Sequence, residues 1–293
     1  MSRQLEDCLL RVDQTMDDLV GPVAHDDDLP PFHGDDAAAY HLRSGGQRMR
    51  ARLGVHASLS LGVADADAVA IGAAVELLHN ASLIHDDLQD RDRTRRGHDA
   101  VWSRYGSNVA ICTGDLLISA AFASIASLTI GTSVPAAVRV MHRSVASAIR
   151  GQGADLSFET RSLSDATTYD AIAFAKSGVL LSLPLELAFI VAGRHDLCGL
   201  ARQAAGAFAI GYQIADDIAD ADRDRSLNLV SVLTAAGVSD PFGAARRRAQ
   251  DRLATGRHLA LALPDGSGAL LVALCDRLST SLIGESAMVC GRS

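Results

Sequence analysis

AVAIGAAVELLHNASLIHDDLQD, residues 68–90, is apolar on nearly every side and then turns abruptly acidic. A surface helix shows one apolar stripe and one polar face, whereas a helix that is apolar all round is buried inside a larger helical body. The pattern therefore predicts a buried central helix from Ala68 to about Asp90. Its end carries Asp86, Asp87 and Asp90. Asp is a poor interior helix residue, and clustered carboxylates repel one another unless a cation sits between them. Something positive is expected at this end.

Helical spacing continues on both sides, in GGQRMRARLGVHASLSLG (45–62), NVAICTGDLLISAAFASIASL (108–128) and PAAVRVMHRSVASAIRGQG (135–153). The amino-terminal MSRQLEDCLLRVDQTMDD is an amphipathic helix and reads as no signal peptide. Polar or Pro- and Gly-containing breaks fall at 21–36, 159–168, 222–228, 237–243 and from Pro264. Strand-like alternation is hard to find. The expected fold class is all-α, with residues 1–293 forming a single domain, although 293 residues would also accommodate two small ones.

The formal net charge of −8 argues against nucleic acid as the main partner, since phosphate binding wants a basic surface. Every basic residue among the 27 is Arg except Lys176. The five cysteines, Cys8, Cys112, Cys198, Cys275 and Cys290, are odd in number and lack metal-ligand spacing, which reads as free thiols in a reducing cytoplasm. No uninterrupted apolar stretch of membrane-spanning length is seen, so no membrane span is expected.

One internal echo stands out. YQIADDIADADRDR places Asp216, Asp217 and Asp220 at the same DDxxD spacing, again after an apolar helix pattern. Positions i and i+4 share a helix face, so Asp86 pairs with Asp90 and Asp216 with Asp220. Two such pairs facing one another would offer hard oxygen ligands. Mg²⁺ takes a few carboxylates together with phosphate oxygens and water, which points to a diphosphate as the remaining ligand. A solvated helix end is the alternative for either run alone; the repetition favours the metal. His79 lies seven residues before Asp86 on the same face, and Gln213 is within reach of Asp216 and Asp217.

Arginines accompany the acids. Arg95, Arg96 and Gly97 follow the first cluster, and Gly45-Gly46-Gln47-Arg48 with Arg50 opens an earlier helix. Guanidinium forks match phosphate oxygens, and paired glycines let backbone approach an anion.

At this point the residues resemble a known family, the trans-prenyl diphosphate synthases or polyprenyl synthetases. The motifs run in order over about residues 36–235: GGQRMRARL, ELLHNASLIHDDLQDRDRTRRG, VWSRYG, AICTGDLLIS, GQGAD, AKSG and GYQIADDIAD. The resemblance implies a helical bundle of the isoprenoid synthase type around a central cavity, a homodimer, and a cytoplasmic enzyme. It implies that Asp86, Asp90 and Asp216 hold Mg²⁺, with three ions around an allylic diphosphate, and that Asp87, Asp217 and Asp220 support them. Arg95, Lys176, Ser177 and Gln213 match allylic-substrate positions; Gln47, Arg48, His79 and Arg96 match the isopentenyl diphosphate site.

Two departures from the family pattern are visible. Gln47 stands where a lysine is usual, with Arg43 or Arg50 as substitutes, and ADRDRSLNLVSV replaces a Gly-Lys context after the second motif, with Arg223 or Arg225 as substitutes. Ala81 and Ser82 occupy the positions that set product length in the family. Both are small, which favours geranylgeranyl diphosphate or longer over farnesyl diphosphate, unless Leu78 or Phe122 forms the stop. A catalytically weak subunit serving an active partner, and a terpene cyclase, are the competing expectations; the second aspartate motif speaks against the cyclase.

Overall fold

A computed structural model describes residues 2–21, 33–157, 166–219 and 228–290. Most of the described residues are helical, as the spacing predicts, in thirteen α-helices. It divides into two compact units, Met1–Val138 with Val191–Gly193, and Arg139–Ile190 with Arg194–Ser293.

The first unit is organised by α4 (Asp65–Asp90), which packs against α1 (Arg3–Val20), α3 (Met49–Ser60) and α6 (Ser107–Ala126). Residues 67–78 of α4 are buried without interruption, the outcome that its all-round apolarity dictates. Gly72 makes the close packing possible: a Cβ there would sit 2.7 Å from Val12 of α1 and 3.1 Å from Val55 of α3. The amphipathic α1 lays down Leu5, Cys8, Leu9, Val12, Met16 and Val20 at helical spacing, and Ser2 caps its start through the Leu5 N–H. Polar ties fix the register of neighbours. Ser124 donates to the Ala70 carbonyl at 2.8 Å, and Asp67 accepts from both the backbone and the hydroxyl of Thr129.

Two boundaries differ from the sequence expectation. The stretch 21–36, read as a connection, already enters α2 (His33–Arg43) at His33, with Asp35 and Asp36 in a first turn that favours acids. Where no strand was expected, Thr94–Arg95 and His98–Asp99 form a short antiparallel hairpin, β1 and β2. Its two-residue turn, Arg96 at φ 53 and Gly97 at φ 79, needs two left-handed positions. The helix α5 (Val101–Tyr105) follows.

In the second unit α10 (Cys198–Ala219) packs on α12 (Pro241–Leu261), and α12 on α13 (Ala269–Cys290). The first contact is tight because Gly256 faces the backbone of α10: a Cβ there would lie 3.0 Å from the Phe208 nitrogen. The helix α7 (Val134–Leu156) enters this unit, and α8 (Ala166–Ala173) runs through a π-turn, Phe174–Gly178, into the apolar α9 (Val179–Val191). The buried Asp170 of α8 binds Arg248 and Arg252 of α12. The helix α11 (Leu229–Ala235) is capped by Asn228, whose side chain accepts from Val230 and Ser231.

Three helical stretches, Asp65–Asp90, Ser107–Ala126 and Thr167–Val191, reach the length and hydropathy of a membrane span, each with at least one charged residue inside it. In the first and third, 78% of the apolar window is packed inside the protein.

Candidate active site

The sequence-predicted residues divide between the two units. In the first, Asp86, Asp87 and Asp90 all fall near the end of α4, whose last turn holds no basic residue. A helix C-terminus already carries partial negative charge, so three carboxylates at this end make an electrostatic position that only a cation relieves. Asp86 is half-buried, Asp90 exposed, and Asp87 buried. Arg95 on β1 reaches Asp87 with two hydrogen bonds to Oδ1, that from Nε being 2.8 Å long. Burial pushes the Asp87 carboxyl above the usual carboxylate range, and Arg95 pulls it back. The central acid of the motif is therefore an anchor for the hairpin, and its neighbours face outward.

The hairpin turn carries Arg96 to the 45–48 segment, where its Nη1 donates to the Gly45 carbonyl. Gly46, at φ 145, leaves room for it; a Cβ there would lie 3.0 Å from the guanidinium. GGQR and RRG are thus brought together. Arg48, in the left-handed region at φ 49, donates to Asp13 at 2.8 Å and to the Leu42 carbonyl at 3.1 Å. Its buried Nη1 has no hydrogen-bond partner among the described residues. Gln47 is exposed.

His79 lies among these cations. Burial drives its pKa well below the usual imidazole value, and Arg50, Arg96, His41 and Arg95 lower it further. The buried His41 of α2 is held down to about 4 by burial, with Arg96, Arg95 and Arg48 contributing. Four arginines and two neutral imidazoles converge here, the composition of a site waiting for a polyanion. Behind it, Glu76 of α4 accepts from the Ala51 N–H at 3.0 Å and so caps the start of α3. Ala81 is buried, and Ser82 turns its hydroxyl to the His79 carbonyl at 2.8 Å.

The second unit repeats the design with other chemistry. Asp216 and Asp217 end α10, again with no base in the last turn. Asp216 is exposed and Asp217 buried. Asp217 accepts from the Tyr169 hydroxyl at 2.6 Å, the Leu229 N–H at 2.7 Å and Gln213 Nε2 at 3.1 Å. Asn228 Nδ2 donates to its backbone carbonyl at 2.9 Å. Asp220 lies outside the described residues. Lys176 projects from the π-turn and pairs with the buried Asp155 of α7 at 2.5 Å, with the half-buried Ser177 beside it. Among the described residues no three His, Cys, Asp or Glu side chains converge as a closed metal site.

A family model for polyprenyl synthetases matches residues 34–228. The chain belongs to the polyprenyl synthetase family. It is 31% identical to a geranylgeranyl diphosphate synthase of Methanosarcina mazei over 211 residues, 71% of this chain and 63% of that protein. It is 34% identical to a geranylfarnesyl diphosphate synthase of Aeropyrum pernix over 192 residues, 62% of this chain and 59% of that one. The match therefore spans less than two thirds of either relative. In structure it resembles the geranylgeranyl pyrophosphate synthetase from the archaeon Geoglobus acetivorans, with a TM-score of 0.84 at 23% identity over 94% of this chain and 99% of the other. That likeness gives the all-helical isoprenoid synthase fold.

Several residues of this family member escaped the sequence reading. Tyr169 and Glu76 act across 48 and 25 residues of sequence, a separation that no local pattern carries. Asp155 sat inside the quoted GQGAD without a role. Gly151 of the same motif allows α7 to touch the π-turn, since a Cβ there would meet the Lys176 nitrogen at 2.5 Å.

Proposed function

We propose that the protein is a trans-prenyl diphosphate synthase that joins isopentenyl diphosphate to allylic diphosphates, with geranylgeranyl diphosphate as the main product. The observation that carries the reading is the pairing, within one unit, of an acidic helix end with a cluster of four arginines and two histidines. One feature suits a cation and the other a diphosphate. The acids fit Mg²⁺ by their chemistry: hard carboxylate oxygens at the negative end of a helix, too few to close a coordination sphere without phosphate and water.

In the first unit Asp86 and Asp90 would hold metal, and in the second Asp216 would do the same; metal, when bound, supplies charge withdrawal from the diphosphate leaving group. Within the first unit Arg48, His79 and Arg96 would orient the isopentenyl diphosphate, and the resemblance assigns Arg95 of that unit, and Lys176, Ser177 and Gln213 of the second, to the allylic diphosphate. The allylic C–O bond breaks, the double bond of isopentenyl diphosphate attacks the cation, and a proton leaves with the departing diphosphate. No protein nucleophile is needed. Oriented guanidinium groups stabilise the charge that develops on the leaving group, which is where fixed donors act most strongly. Arg50, whose charge helps lower the His79 pKa, would supply the positive charge that Gln47 lacks.

Small Ala81 and Ser82 support the C20 product. The test is to incubate the protein with Mg²⁺, isopentenyl diphosphate and, in turn, dimethylallyl, geranyl and farnesyl diphosphates, and to size the dephosphorylated alcohols by mass spectrometry. A dominant C20 alcohol is expected; a C15 stop refutes the product length and keeps the reaction. The exposed Gln47 favours one second reading, a weak subunit of a heteromeric synthase, which becomes the better account if no starter is extended.

A further inference from the structure

Residues 91–104 carry five arginines against two aspartates, in a chain whose formal net charge is −8. Arg95 and Arg96 are engaged by Asp87 and the Gly45 carbonyl. The other three, Arg91, Arg93 and Arg104, are exposed, and none of the ion pairs among the described residues includes them. Aromatic rings hold them instead. The Arg91 and Arg93 guanidinium carbons lie 5.5 and 5.9 Å from the Trp102 ring centroid, and that of Arg104 lies 4.5 Å from Tyr40 and 5.5 Å from Tyr105.

The rings are themselves fixed. Trp102 Nε1 donates to the Asp92 carbonyl at 2.7 Å, Tyr40 OH to the Asp99 carbonyl at 2.9 Å, and Tyr40 meets Tyr105 edge to face at 5.6 Å. A carboxylate partner would cancel the charge of an arginine; a ring face limits its motion and leaves the charge standing. Arg91 and Arg93 are therefore held directly after the first aspartate motif, and Arg104 on α5, which packs against α4, each outside the ion pairs among the described residues. Arg91 follows Asp90 directly, and the Arg93 Cα lies within about 11 Å of that of Asp90 by chain length alone. That distance is comparable with the screening length at physiological salt, about 8 Å.

We propose that Arg91, Arg93 and Arg104 form an electrostatic capture surface that concentrates the diphosphate groups of the substrates beside Asp86 and Asp90. The proposal rests on the prenyl-transfer reading above. An acidic protein repels a polyanion, and carboxylates at a helix C-terminus add to that repulsion. A local patch of fixed positive charge reverses the sign of the field where the substrate arrives.

The test compares the wild type with R91Q/R93Q/R104Q and R91K/R93K/R104K, measuring kcat and KM for isopentenyl diphosphate at saturating Mg²⁺ from about 20 mM to about 500 mM salt. The glutamine variant should lose about 5-fold in kcat/KM at low salt, keep kcat, and converge with the wild type at high salt. The lysine variant should keep the wild-type salt slope, because charge rather than stacking is at issue. A glutamine variant with the wild-type slope, or a lysine variant that loses as much as the glutamine one, overturns the proposal. Calorimetric binding of inorganic diphosphate with Mg²⁺ over the same salt range separates this inference from the function. An arginine-dependent slope in binding without any product sinks the reaction and keeps the capture surface; no such slope sinks the surface whatever the activity.

Discussion

The Tyr169 hydroxyl donates to the Asp217 carboxylate at 2.6 Å, and both residues are buried. This one bond joins the end of α10 to α8, and the Leu229 N–H on the same oxygen adds the start of α11. The second aspartate motif is therefore positioned from behind by its central acid, leaving Asp216 to face outward.

Replacing Tyr169 with Phe removes a donor from a buried carboxylate and should cost about 1–3 kcal/mol of stability. The denaturant midpoint should fall at unchanged slope. Because Asp216 is the next residue, the Mg²⁺ concentration for half-maximal activity should also rise. A loss of stability with unchanged Mg²⁺ dependence would show that the bond braces the fold and does not orient Asp216.

Arg95 does for Asp87 what Tyr169 does for Asp217, with a full charge in place of a hydroxyl. Arg95→Gln leaves a buried carboxylate without its cation, a change that costs about 3 kcal/mol where one partner keeps some contact with solvent. Asp87→Asn in the same chain should recover part of that loss, since the uncompensated charge is then gone. Equal unfolding midpoints for the single and double variants would rule out charge burial as the cause.

These anchors show which part of the molecule was legible beforehand. The buried α4 could be read because its apolarity is continuous, and both acidic helix ends because i, i+4 spacing is local. The hairpin at 94–99 could not: two-residue strands have no alternation to detect, and its only sign was Gly97 after Arg96. The π-turn under Lys176 has no compositional mark, and AKSG reads as ordinary helix. Tyr169, Glu76 and His41 carry no local pattern that announces their partners. Their roles arise from helices that meet only after folding.

The two imidazoles give the first unit a predictable acid sensitivity. His41 and His79 both have pKa values below that of the unfolded chain, so they stay neutral when folded while the unfolded chain takes up protons below about pH 6.5. Stability is complete above that pH and is lost as the pH falls toward the folded value, about 4 for His41. The His41 contribution to this loss should be about 2 kcal/mol at pH 5. Urea unfolding of His41→Gln should show a shallower decline between neutral pH and pH 5 than the wild type. Parallel declines would mean that His41 does not report this burial.

Gly151 should tolerate no side chain. A Cβ there would approach the Lys176 nitrogen at 2.5 Å and the Ala175 carbonyl carbon at 2.6 Å, and both are backbone atoms that cannot turn aside. Gly151→Ala should therefore cost about 1–3 kcal/mol by overpacking and move the π-turn that carries Lys176. Raised KM for the allylic substrate together with a lower melting temperature is the expected pair of results. A normal KM in a destabilised protein would detach Lys176 from allylic binding.

Ala81→Phe tests the product length. Ala81 is buried on α4, two residues from His79, so an added ring must occupy space that neighbouring side chains or a growing prenyl chain now use. Overpacking alone would cost about 1–3 kcal/mol and leave the product distribution as it was. A ring standing in the path of the chain should shift the dominant alcohol from C20 to C15 while the folded protein keeps turning over. The two effects are separated by sizing products under conditions where thermal unfolding shows the variant to be folded. An unchanged C20 product there would remove Ala81 as the stop and move attention to Leu78 on the preceding turn or Phe122 on α6.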